Sequence, residues 1–161
     1  MKIKLLITLI FAAVLLNTKS TRAQKLESEF LFKLNLSIGT PIEIGKIPIG
    51  QRVIYPITGG TFEGPKLKGE VQSFGADWIL RLDSTTSKID VRILLKTEEG
   101  ETISCSYNGI IYTKPDGTMY WRTSPVLETS SSKYAYLNHL VMVGVGSFIE
   151  GGVSYEIFGV K

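Results

Sequence analysis

The chain has 161 residues, 43% of them hydrophobic, and a formal charge of +3 from 18 Lys and Arg against 15 Asp and Glu. Its single cysteine, Cys105, excludes an internal disulfide, and its single histidine, His139, excludes a metal site built from several imidazoles. Lys2, Lys4, Lys19 and Arg22 all precede residue 24 with no acid among them, so 14 basic residues face 15 acidic ones in the remainder, and no nucleic-acid partner is expected.

The first element is an apolar run from Leu5 to Leu16, preceded by Lys2 and Lys4 and followed by the small residues Thr21 and Ala23. This order predicts a secretory signal peptide over 1–23. Twelve apolar residues are too few for a membrane span, which needs about 20. Cleavage before Gln24 removes 23 of the 161 residues and leaves 138, a single domain over 24–161. At that size it buries roughly two-thirds of its unfolded surface. The protein is thus expected to be exported, periplasmic or secreted, with no stable membrane anchor after processing.

Apolar residues at Phe30, Phe32, Leu34, Leu36 and Ile38 alternate with polar ones and predict a strand with two unlike faces. Gly39 to Gly50, with Pro41 and Pro48, reads as an irregular connection before a strand over Arg52 to Ile57. The stretch from Tyr55 to Trp78 then concentrates Pro56, Pro65, Gly59, Gly60, Gly64, Gly69 and Gly75, a composition for bulges or corners. It lacks the Gly-Lys-Ser/Thr ending and the following helix of a phosphate cradle. Leu67 to Ser73 and Trp78 to Leu82 alternate again, with Trp78, Leu80 and Leu82 on one face and Ile79 and Arg81 on the other. Beyond a polar turn at Ser84 to Ser87, Ile89, Val91, Ile93 and Leu95 oppose Asp90, Arg92, Leu94 and Lys96.

Glu99-Gly100 turns the chain, Ile103, Cys105 and Tyr107 share a strand face, and Asn108-Gly109 predicts a tight hairpin or a bulge. Pro115-Asp116-Gly117 is a strong turn signal before the alternating Tyr120 and Arg122. The run from Tyr134 to Phe148 is too rich in Tyr, Val and Gly to favour a helix, and a last strand holds Val153, Tyr155 and Ile157. Turn signals about every ten residues and the absence of a long amphipathic helix predict an all-β chain, a single antiparallel β-barrel of about eight to ten strands.

Several of these segments carry a second kind of information. Pro56-Ile57-Thr58-Gly59-Gly60-Thr61-Phe62-Glu63-Gly64-Pro65, Leu67-x-Gly69-x-Val71 and Gly75-Ala76-Asp77-Trp78 are followed in order by Asp90-x-Arg92, Tyr120-x-Arg122-x-x-Pro125-x-x-Glu128-Thr129 and Tyr134-Ala135-Tyr136-Leu137-Asn138. Together they resemble the signature of the DUF3237 family, also called UPF0311, over nearly all of the chain after residue 28. The chain departs from that pattern at Leu127, where the family often has Phe, and at Tyr136, where it often has Trp. The resemblance implies a β-barrel similar to lipocalin-like and allene-oxide-cyclase-like barrels, and implies architecture more firmly than activity.

Taken singly, the polar residues of these segments read as the solvated exterior of a barrel. The resemblance raises Glu63, Asp77, Trp78, Asp90, Arg92, Arg122, Glu128, Tyr136 and Asn138 together as ligand-binding residues, with Tyr107, Tyr120 and Tyr155 beside them. Cys105 reads as a buried thiol rather than a nucleophile, and no metal ligand set, cofactor motif or assigned catalytic residue stands out. The expected function is small-molecule binding, because a small closed barrel leaves room for one ligand. Its enzymatic version is a cofactor-independent isomerase, cyclase or lyase with an Asp or Glu base. The rival expectation is a structural or interaction module that forms a homo-oligomer. Asp90 and Arg92, two apart on one strand, are expected to point into the lumen.

Overall fold

Period-two alternation produces nine strands in the computed structural model, which describes residues 25–161. The expected signal peptide over 1–23 lies outside the described residues. The strands are β1 (Ser28–Ile38), β2 (Ile42–Ile47), β3 (Gly50–Glu63), β4 (Lys68–Arg81), β5 (Thr86–Thr97), β6 (Thr102–Thr113), β7 (Met119–Glu128), β8 (Met142–Ile149) and β9 (Gly152–Val160), with a short 3-10 helix, Ala135–His139, between β7 and β8. They pair antiparallel in the order β1-β9-β8-β7-β6-β5-β4-β3-β2, and β1 also pairs with β3. Eight strands therefore close into a barrel, and β2 lies outside the closure on β3.

Closure depends on the Gly-rich stretch. Leu36 of β1 lies opposite Gly60 of β3, and a Cβ on Gly60 would run into the Asn35 carbonyl. The ladder shifts register between Pro56 and Gly60 of β3 and between Val71 and Gly75 of β4, the bulges expected of this composition. These bulges bend long strands around the barrel, so β3 and β4 each run through 14 residues where the sequence suggested shorter pieces.

Four other expectations are corrected by the ladders. The irregular connection over 39–50 contains β2, whose register shifts between Glu43 and Gly45 with Gly45 at φ +92°. Asn108-Gly109 forms no turn: β6 holds unbroken register with β5 and β7, and Gly109 lacks the positive φ of a tight hairpin. A bulge between Phe30 and Phe32 sends Phe30 outside, edge-on to Phe158 at 5.8 Å, while Phe32 stays in the lumen. Asp90 and Arg92 do not enter the lumen either. Ile89, Val91, Ile93 and Leu95 are all buried there, so strand parity leaves Asp90 half-buried and Arg92 exposed on the exterior.

The barrel is filled at one end. Phe32, Leu34, Phe62, Leu95, Ile103 and Leu127 pack this half, and Leu137 of the 3-10 helix caps it. That helix is pinned to the β5–β6 turn by Glu99, which accepts hydrogen bonds from Lys133 Nζ at 2.7 Å and from Tyr134 Oη at 2.6 Å. These two donors hold the Glu99 carboxyl down at about 2.

Candidate functional site

The opposite half of the lumen is open. A cavity of about 960 Å³ reaches from mid-barrel to a mouth formed by the turns β2–β3, β4–β5, β6–β7 and β8–β9. Its floor follows from the register. Tyr55 on β3 lies opposite Asp77 on β4, Asp77 opposite Val91 on β5, and Val91 opposite Tyr107 on β6. These four inward side chains form one layer, and Trp121 and Tyr155 add to the wall from β7 and β9.

Asp77 is the buried carboxylate of this layer, 7% exposed. Its Oδ1 accepts the Asp90 backbone N–H at 3.1 Å. Burial pushes the carboxyl up to about 7; the Asp90 N–H pulls against that shift, and the Asp90 charge adds to it. Asp77 is therefore present in both protonation states near neutral pH, the condition for giving and taking protons there.

Three aromatic side chains form the neighbouring wall. Tyr155 meets Tyr107 edge to face at 5.2 Å and Trp121 at 5.4 Å. Burial raises both phenols above their ordinary value, so both stay protonated. Tyr107 Oη and Trp121 Nε1 are buried without a hydrogen-bond partner, and the Tyr107 and Tyr155 hydroxyls fall short of bonding each other. Unsatisfied buried donors are costly, and both atoms lie behind the cavity surface, packed against Tyr155 and closed off from the lumen. Trp121 fits because Gly146 faces it from β8: a Cβ there would stand 2.5 to 2.7 Å from the indole ring.

Of the residues raised by the resemblance, Asp77 lines this cavity together with the accompanying tyrosines Tyr107 and Tyr155, and the others do not. Trp78 alternates to the exterior, 40% exposed. Glu63 is exposed at the end of β3, 3.9 Å from Lys68 Nζ. Arg122 lies outside, over the Tyr120 ring at 4.9 Å, and donates to the Trp121 carbonyl. Tyr136 sits in the 3-10 helix, packed against the core with its hydroxyl buried and unpartnered. Glu128 and Asn138 do come together, in a separate open recess beside Thr129. There the Asn138 amide accepts the Thr129 N–H at 2.8 Å and donates to the Thr129 carbonyl at 2.9 Å, a clamp on the chain. Cys105 is buried in the core, where desolvation raises its thiol to about 12.

Sequence reasoning missed Tyr55, Arg81 and Trp121 as cavity residues. Strand parity held the signal for one of them: Arg81 and Ile79 share a face, and the same count back along β4 reaches Asp77. For Tyr55 and Trp121 the signal is the cross-strand register, which the sequence does not display.

The barrel is similar to several solved structures. A β-barrel-like protein of Acinetobacter baumannii superposes with a TM-score of 0.83 at 30% identity, covering 88% of this chain and 100% of that one. A protein described as an enzyme from Penicillium herquei superposes with a TM-score of 0.73 at 23% identity, over 88% of this chain and 99% of that one, a likeness of fold. In sequence, the UPF0311 protein of Rhodopseudomonas palustris is 26% identical over 132 residues, 74% of this chain and 86% of that protein. The UPF0311 protein of Clostridium acetobutylicum is 25% identical over 156 residues, 88% and 98%. The family described as "Protein of unknown function (DUF3237)" matches residues 26–160, and the chain belongs to it.

Proposed function

We propose that the protein binds a small molecule in the open half of its barrel and catalyses cofactor-independent proton transfer on it, of the isomerase, cyclase or lyase type, with Asp77 as the acid–base group. The observation that carries this reading is a carboxyl raised to about 7 at the floor of an aromatic cavity. In such a reaction the Asp77 carboxylate takes a proton from carbon or oxygen of the ligand. The charge then develops on a ligand oxygen against the wall that Tyr55, Tyr107, Trp121 and Tyr155 line. The Asp77 carboxylic acid returns the proton at another atom, so protons balance and no oxidant or reductant is consumed. An open lumen favours this reading over a structural module, which needs no cavity. The Penicillium herquei protein of similar fold, being described as an enzyme, adds support.

The test uses nitrobenzisoxazole, whose base-promoted ring opening moves one C–H proton to the base and breaks one N–O bond. The protein should accelerate this reaction beyond free acetate, with a rate that rises through an inflection near pH 7, the value of the Asp77 carboxyl. Asp77→Asn should lower the rate at least roughly 100-fold, the usual worth of a positioned general base. A wild-type rate equal to that of Asp77→Asn at every pH would sink the proposal.

A further inference from the structure

We infer that Arg81 recognises an anionic group, and that the ligand is an amphipathic anion: an apolar, planar body with a carboxylate or similar group held at the cavity mouth. This rests on the reading of the cavity as a binding site and names the class of molecule it takes.

Arg81 ends β4 and shares the inward face with Ile79 and Asp77. Four residues of strand put its Cα about 13 Å from that of Asp77. Arg81 is half-buried, and its Nη2 donates to Tyr55 Oη at 2.7 Å, which fixes the fork against the cavity wall. Among the described residues the ion pairs involve Lys66, Lys68, Lys133 and Lys161, and none involves Arg81. The rim carboxylate Asp83 is engaged with its own turn, Oδ1 accepting the Thr85 and Thr86 N–H groups and the Thr85 hydroxyl. A half-buried cation with no anionic partner gives up solvation that a ligand anion would restore, and the planar fork suits a carboxylate.

Between the two polar ends the wall is apolar, from Leu36, Ile57, Ile79 and Ile111. The ends carry opposite signs. When ionised, Asp77 repels an anion from the floor while Arg81 draws it to the mouth, so one orientation is selected and the neutral end of the ligand meets the acid–base group. Lys46, exposed on β2, adds a second positive charge at the rim.

Two fluorescent probes separate the two levels of this reading: anilinonaphthalene sulfonate and its uncharged counterpart phenylnaphthylamine, which share one aromatic framework. Trp78→Phe removes the exterior indole and leaves Trp121 to report occupancy by quenching. The sulfonate should bind roughly tenfold tighter than the neutral probe, the worth of a charge-assisted contact. Arg81→Gln should erase that difference and leave the neutral probe within twofold. Arg81→Met, which keeps the apolar stem, gives the same comparison if the Gln variant does not fold. Equal binding of both probes, unmoved by either substitution, would overturn the anion assignment and leave the binding reading standing. Failure of both probes to quench Trp121 would overturn both.

Discussion

Asp77 shows how little residue type says about role. Its carboxyl stands beside Trp78 in sequence, and strand parity sends the indole outward and the carboxyl into the lumen. Burial then moves it from an ordinary 3.8 to about 7. The folded chain keeps a proton on Asp77 over a range where the unfolded chain has lost it. This contribution to stability is therefore fully present below about pH 4 and is lost as pH rises to about 7, by up to roughly 4 kcal/mol. Asp77→Asn lacks the titration. Urea melts should give the two proteins similar stability at pH 4 and the Asn variant the greater stability at pH 8; parallel curves would mean that the carboxyl titrates as an ordinary surface acid.

Single strands are shaped by close approaches more than by propensity. β8 reads Met142-Val143-Gly144-Val145-Gly146-Ser147-Phe148, and its inward position Gly146 faces the Trp121 ring. Gly146→Ala forces the indole to move into the cavity or the two strands to part. The expected outcome is a loss of about 1 to 3 kcal/mol, the cost of overpacking, with a shifted Trp121 emission in a Trp78→Phe background. An unchanged melt and spectrum would show that the wall yields freely there. The 3-10 helix is a second such case: its sequence, Ala-Tyr-Leu-Asn-His, has no helical period, and it is ordered by what it touches, Leu137 in the core and the neighbouring Tyr134 on Glu99.

For the whole molecule, eight strands leave a lumen that large side chains fill at one end only. The filled end carries the 3-10 cap and both ends of the described chain, and the open end carries four turns and the outer strand β2. We propose export as well, on the strength of the segment over 1–23. Intact-mass measurement on protein recovered from a native-like host should find a mature chain beginning at Gln24. Retention of Met1 to Ala23 in a membrane fraction would contradict it.

The period-two pattern and the placement of Gly and Pro determined the all-β class, most of the strand faces and most of the turns, because both are local properties of the chain. Ile89 to Leu95 had its lumen face written in four apolar residues, and the expectation that put Asp90 and Arg92 inside failed by overriding that pattern. What only the tertiary structure decided was which inward residues meet across strands. Tyr55, Asp77 and Tyr107 lie far apart in the chain and share one layer through the register of three ladders. That register is set by bulges at Gly60 and Gly75 and by closure of β1 on β3, and it depends on contacts between segments that no local pattern specifies.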